Sequence, residues 1–126
     1  MRLQESGEMY LETILILSEK KGQVRSIDVC EYMNFSKPSV SRAIHLLEDG
    51  GYLQVDPKGY LRLTQLGQGI AEKIYERHRL LTAILVRIGV DRATAAEDAC
   101  KMEHDISDET FEAIRAHVSP LNLEDC

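Results

Sequence analysis

The chain has 126 residues, 44% of them hydrophobic and 29% charged, with a formal net charge of −6. That length suffices for one compact unit, or two small sub-domains sharing a core, without disulfides or a structural metal. Cys30, Cys100 and Cys126 include no CxxC pair, which argues against a disulfide framework or a zinc ribbon and fits a reducing compartment.

MRLQESGEMY lacks the basic start and apolar run of a signal peptide, and nowhere do roughly 20 apolar residues follow one another as a bilayer span requires. A cytoplasmic protein with no membrane partner is expected. The acidity at first speaks against nucleic acid, because phosphates are held by Lys and Arg. Its distribution changes that reading. Residues 1–65 carry eight Lys/Arg against nine Asp/Glu, whereas residues 66–126 carry seven against twelve. The first half can present a basic face locally, and the acidic second half can collect cations.

Residues 4–20 read as a helix, with Met9, Ile14, Ile16 and Leu17 among Glu8, Glu12 and Glu19, stopped by Lys21-Gly22. A short second helix starts at Ser26 as N-cap and places Ile27, Cys30 and Met33 on one face, until Asn34-Phe35 breaks it. Ser36 caps a third helix with Pro38 in its first turn, whose Val40, Ile44 and Leu47 face inward up to Gly50-Gly51. Two helices joined so tightly match a helix-turn-helix. YLQV and YLRLT flank Asp56-Pro57-Lys58-Gly59, a turn sequence, and predict a β-hairpin, which after a helix-turn-helix is a wing. The remainder is helical: residue 66 to Gly89, residues 92–106, and a short helix capped by Ser107 and closed by Ser119-Pro120. The fold expected is mainly α, an N-terminal winged helix-turn-helix with a small β-hairpin (1–65) followed by an α-helical dimerisation domain (66–126).

SKPSVSRAIHLLEDG carries the first chemical signal. Ser36, Lys37, Pro38, Ser39, Ser41 and Arg42 occupy the leading turns, the part of a recognition helix that reaches bases and phosphates. Short hydroxyls suit phosphate or base acceptors, Lys37 supplies charge, and Arg42 can address guanine. Lys58 and Arg62 on the hairpin are placed for phosphates beyond the groove. Any one of these is as readily capping chemistry or solvated charge. Helix, turn, helix and wing in unbroken order favour double-stranded DNA. Cys30, on an apolar face, reads as a small core residue.

The second signal is Cys100, Glu103 and His104 at i, i+3 and i+4, three donors on one helix face about a turn apart. Alone, such a triplet is more often a core thiol beside two surface groups. Met9 and Glu12 on the first helix and His78 on the long helix add donors, and six candidates on three apolar-faced helices point to a divided metal site.

GEMYLETI, SKPSVSRAIHLLEDGGYL, ERHRLL, IGVD and DACKMEHDISDE together resemble the diphtheria-toxin-repressor family of metal-dependent transcriptional repressors, including its manganese-transport-regulator branch, along almost the whole chain. The resemblance implies a winged helix joined to a helical dimerisation domain, with divalent metal switching on operator binding. By position, Met9, Cys100, Glu103 and His104 match primary ligands of iron-responsive members, and Glu12 and His78 match second-site ligands of manganese-responsive ones. Thr82 and Ala96 stand where iron-type members have Glu and His, and the expectation is the short form without an SH3-like third domain. Manganese-type members carry Asp where Met9 stands and Glu where Cys100 stands. The softer thioether and thiolate tilt the site to Fe²⁺ first and Mn²⁺ next, with Co²⁺, Ni²⁺ or Zn²⁺ accepted in vitro.

The function expected is therefore a metal-loaded repressor that binds operator DNA as a homodimer and controls metal homeostasis. It needs no organic cofactor and is no enzyme. The dimer is expected to use the apolar faces of LLTAILVRI and of the following helix, with Met102 facing the partner. The rival readings are a winged-helix regulator that senses no metal, a small metalloenzyme whose ion activates water, and a protein-binding module using the hairpin with Lys37 and Arg42.

Overall fold

The computed structural model describes residues 5–118 and divides them between two compact units, Met1–Glu72 and Lys73–Cys126. Residue 4, Ser119-Pro120 and Cys126 lie outside the described residues. Neither Cys30 nor Cys100 is in a disulfide. No helix among the described residues is long and apolar enough to cross a membrane.

The first unit runs α1 (Glu5–Lys21), β1 (Val24–Arg25), α2 (Ser26–Met33), α3 (Lys37–Asp49), β2 (Leu53–Val55), β3 (Tyr60–Leu63) and the start of α4 (Gln65–Arg87). Leu11, Ile14 and Leu15 of α1 meet Val29 and Cys30 of α2 and Val40, Ile44 and Leu47 of α3 in a buried core. Each such side chain removed from water contributes about 1.5–3 kcal/mol before entropy is counted. The helix-turn-helix follows from local chemistry at both ends of α3. The Ser36 hydroxyl accepts the Ser39 amide hydrogen at 3.3 Å, and Pro38 costs nothing where no intrahelical acceptor exists. At the other end, Gly51 adopts φ +83° and the Tyr52 N–H donates to the Leu47 carbonyl at 3.0 Å, turning the chain out of the helix.

The strands form one antiparallel sheet in the order β1-β3-β2, with Val24 opposite Leu61 and Gln54 opposite Arg62. At the hairpin, the Asp56 carboxylate accepts the amide hydrogens of Lys58 and Tyr60, both at 2.9 Å. These bonds, the Tyr60 one foremost, hold its carboxyl below the usual carboxylate range. Gly59 supplies φ +88°.

Three expectations change. The wing hairpin gains a third strand, because Val24 and Arg25 pair with β3. The chain consequently leaves the sheet at Arg25, which is the N-cap of α2, and Ser26 is the first helical residue rather than the cap. Asp28 completes this start by accepting the Arg25 N–H at 2.8 Å. Ile27 remains 44% exposed rather than sharing the buried face of Val29 and Cys30.

The second unit contains the rest of α4, α5 (Arg92–Asp105) and α6 (Asp108–Val118). Asp91 caps α5 by accepting the Ala93 and Thr94 amides at 3.2 and 3.4 Å, and Ser107 caps α6 by accepting that of Thr110 at 3.1 Å. Gly89, at φ +109°, ends the α4 segment where the sequence places its stop. Ile74, Leu81, Ala95, Ala99 and Phe111 are buried, with Arg77 and Glu103 among them.

Thr64 precedes α4 and ties it to the sheet. Its hydroxyl donates to the Gly51 carbonyl at 2.6 Å and accepts the Gly67 N–H at 3.2 Å. A Cβ on Gly67 would stand 1.9 Å from the Tyr52 carbonyl oxygen, whereas one on Gly69 would meet nothing within 4 Å. Gly67→Ala is therefore expected to destabilise by about 1–3 kcal/mol or more, and Gly69→Ala to stabilise by roughly 0.5–1 kcal/mol. Urea denaturation of both variants checks this pair; equal effects would contradict the packing described.

Candidate metal centre and nucleic-acid interface

The last turns of α5 carry the densest group of potential ligands. The Cys100 thiol, a Glu103 oxygen and a His104 ring nitrogen all lie within 4.8 Å of one another. The i, i+3, i+4 spacing places them on one side of the helix. Glu103 is 0% exposed and the His104 side chain 1%. His104 Nε2 lies 3.4 Å from Glu103 Oε1. His78 enters from α4, its Nδ1 3.1 Å from Glu103 Oε2. One carboxylate thus stands between two imidazoles, with a thiol one turn away.

The chemistry of this set fits a divalent transition metal. Donors around one ion bound at 2.0–2.3 Å sit about 3.3–3.8 Å apart in tetrahedral geometry; the Glu103–His104 separation of 3.4 Å falls in that range and the Glu103–His78 separation of 3.1 Å just below it. Glu103 Oε1 is buried and makes no hydrogen bond among the described residues. An enclosed carboxylate oxygen without a donor is costly, and a cation relieves that cost. Sulfur, imidazole and carboxylate together suit borderline metals.

Met9 and Glu12, the other two candidates, lie one helical turn apart on α1 of the first unit. Thr82 lies on α4 with its hydroxyl donating to the His78 carbonyl at 2.7 Å, the usual resting place of a threonine hydroxyl inside a helix. Arg77 is a further residue of this centre, outside the six ligand candidates. The residue is 5% exposed, and its guanidinium donates to the Glu103 and Ile106 carbonyls, each at 3.2 Å, and to Asp108. The signal was present: Arg77 falls on the helical stripe of Ile74 and Leu81, where a charged residue implies a buried and partnered cation.

On the first unit, Ser36, Lys37, Pro38, Ser39, Ser41 and Arg42 are all exposed on the leading turns of α3, and Lys58 and Arg62 are exposed on the hairpin. Ser39 also takes a hydrogen bond from the Ser36 hydroxyl at 2.9 Å, so part of the hydroxyl set serves the cap. Arg62 lies 3.5 Å from Asp56, close to the turn. Arg25, on the unforeseen strand, stacks its guanidinium over the Tyr60 ring at 4.5 Å and adds a cation beside the wing.

A winged helix-turn-helix with an exposed basic leading turn, in one chain with a helical unit that buries carboxylate, imidazole and thiol together, defines a metal-responsive DNA-binding protein. Comparison with known proteins makes this specific. Residues 2–61 match the N-terminal DNA-binding domain of iron-dependent repressors, and residues 64–124 match their metal-binding and dimerisation domain. The chain belongs to this family, the metal-dependent transcriptional regulators of the diphtheria-toxin-repressor and manganese-transport-regulator type. It is 32% identical over 115 residues to an uncharacterised helix-turn-helix transcriptional regulator of Methanocaldococcus jannaschii, spanning 90% of this chain and 92% of that one. It is also 32% identical over 106 residues to the transcriptional regulator MntR of Escherichia coli O6:H1, spanning 84% of this chain and 68% of that one. Among solved structures, the manganese regulator SloR superimposes with a TM-score of 0.80 at 28% identity, over 94% of this chain and 55% of that chain. A manganese-dependent transcriptional repressor in complex with manganese gives 0.82 at 27%, over 90% and 52%. The chain thus spans about half the length of these solved structures.

Glu103→Gln keeps the shape of the buried side chain and removes its charge. Metal at a hundredfold excess over its dissociation constant is expected to stabilise the unaltered chain by about 2.7 kcal/mol and the variant by far less. Calorimetric melts with Mn²⁺ and with chelator check this; a variant that keeps the full metal-dependent rise would remove Glu103 from the site.

Proposed function

We propose that this chain is a repressor that binds double-stranded operator DNA as a homodimer when loaded with Fe²⁺, or next with Mn²⁺, and so controls metal homeostasis in the cytoplasm. The observation that carries the reading is the buried Glu103 carboxylate, set between His78 and His104 and one turn from Cys100, with one oxygen lacking a hydrogen-bond donor. Met9, Glu12, His78, Cys100, Glu103 and His104 are the ligands proposed. The ion supplies a concentrated positive charge. Carboxylate and imidazole neutralise and hold it, while the Cys100 thiolate and the Met9 thioether bias the choice towards Fe²⁺ over Mn²⁺. Co²⁺, Ni²⁺ and Zn²⁺ are accepted in vitro, and related solved structures, ScaR with bound Zn²⁺ and ScaR with bound Cd²⁺, accord with such breadth.

Ligands carried partly by the DNA-binding helices and partly by the helical unit make metal affinity depend on conformation. Operator affinity must then depend on metal by the same factor. In a homodimer the quantity controlled is the spacing of two copies of α3, which must match successive major grooves about 34 Å apart. Ser36, Lys37, Pro38, Ser39 and Ser41, with Lys58 and Arg62 on the wing, position the protein on phosphates, and Arg42 reads a base edge. Support for self-association comes from a largely apolar depression on the second unit, lined among others by Leu81, Ile84, Leu85, Met102 and Ile114. Ile88, at the end of α4, is 72% exposed.

Fluorescence anisotropy with DNA from upstream of the chain's own gene is expected to show operator affinity rising about 5–150-fold on adding anaerobic Fe²⁺ or Mn²⁺. Cys100→Ser is expected to reduce the Fe²⁺ response more than the Mn²⁺ response. Operator binding that neither ion alters would leave a DNA-binding protein but abolish the sensing proposed here. On the DNA side, Arg42→Ala is expected to relax discrimination at one base pair by roughly 1–3 kcal/mol. Lys37→Ala should instead weaken all sequences alike and lower the salt slope by about one. A binding-site selection and a salt titration separate the two, and a uniform loss from Arg42→Ala would reassign that residue to phosphate.

A further inference from the structure

Two consecutive residues of α4 hold Glu103 from opposite ends. His78 meets its side chain, Nδ1 to Oε2 at 3.1 Å, and Arg77 meets its backbone, Nη1 donating to the carbonyl at 3.2 Å. That carbonyl is one of the last four of α5, which have no acceptor role left inside the helix. The Met102 carbonyl is taken by the Ile106 N–H at 3.1 Å, the turn's own closure, but the Glu103 carbonyl needs a donor from elsewhere. Arg77 provides it and bonds the Ile106 carbonyl at 3.2 Å as well, on the far side of the point where the backbone turns extended, with φ −81° and ψ 149° at Ile106.

The guanidinium is itself held. Nη2 donates to Asp108 on α6, Lys73 lies 3.0 Å from the same carboxylate, and the Phe111 ring lies 5.1 Å below the guanidinium carbon. The Lys73 ammonium foremost, with Arg77 adding to it, keeps the Asp108 carboxyl below its ordinary range. A cation at a helix C-terminus is also favoured by the helix dipole.

We infer that Arg77 is a positioning residue for the metal ligands: by holding the Glu103 and Ile106 carbonyls it keeps the last turn of α5 wound and aims Glu103 and His104 before metal arrives. The inference rests on the ligand reading proposed above. Outer residues that orient metal ligands typically change affinity about 10–100-fold when lost. Lysine has one compact ammonium and cannot span two carbonyls and Asp108 in a fixed fork, so Arg77→Lys falls between the native residue and Arg77→Met.

The test titrates Co²⁺ into the full chain, previously stripped with chelator, and follows the visible ligand-field bands and the thiolate charge-transfer band. Arg77→Met is expected to bind Co²⁺ about 10–100-fold more weakly, with shifted band positions or intensities, and Arg77→Lys to lose less. Ala95→Gly weakens α5 by backbone freedom two turns away and should leave affinity and spectrum at native values, which a purely structural role for Arg77 would not distinguish from Arg77→Met. Native Co²⁺ affinity and spectrum in Arg77→Met would overturn the inference, as would equal losses in Ala95→Gly. Should Arg77→Met fail to fold, Arg77→Lys decides on the same two readouts. If the unaltered chain shows no Co²⁺ bands at all, the ligand reading itself fails, and the inference with it.

Discussion

A carboxylate with no access to water is the constraint from which the rest of the second unit follows. Glu103 is 0% exposed, and an ionised group so placed must be compensated by charge or by hydrogen-bond donors. His78 and His104 approach it from two helices, yet Oε1 still makes no hydrogen bond. A core designed only for stability would place a leucine there, since replacing buried ionic groups by apolar ones of similar volume is often neutral or stabilising. Retaining an acid beside two imidazoles and a thiol is costly unless a cation shares the space. The placement of Arg77 on the Glu103 backbone fits the same demand, because a ligand cluster is only as selective as its orientation is firm.

Both units exploit helix termini, with opposite sign. The leading turn of α3 offers exposed hydroxyls and the positive end of the helix dipole, with Lys37 at its head, and that end of a helix attracts anions such as phosphate. The last turn of α5 leaves carbonyls without intrahelical donors, which Arg77 takes directly, and its side chains hold a divalent ion by proposal. An acidic chain can therefore bind DNA. Exposed basic residues, Lys37, Arg42, Lys58 and Arg62, lie on α3 and the hairpin, whereas the excess of acidic residues lies in the second half of the chain.

Much of this was legible in the residues. The capping at Ser36 and Ser107, the double-glycine exit of α3, the Asp56–Gly59 turn and the 3.6-residue periodicity are local, and local chemistry is expressed along the chain itself. The i, i+3, i+4 spacing of Cys100, Glu103 and His104 is likewise a property of one helix, so their convergence could be anticipated without coordinates. The two-residue strand β1 could not. Val24-Arg25 is too short to show an alternation, and it is a strand only because β3 lies beside it. The same pairing moved the cap of α2 from Ser26 to Arg25 and left Ile27 exposed.

By itself, then, the order of residues determined which segments are helical, where they stop, and which helix faces carry sulfur, imidazole and carboxylate, because each depends on neighbours within about one turn. Only the tertiary structure decided that His78 reaches Glu103 across 25 positions and that Arg77, one residue earlier, grips its carbonyl across 26. Those choices depend on the angle at which α4 meets α5 and on which carbonyls the end of α5 leaves without donors. Neither quantity exists until the helices have packed.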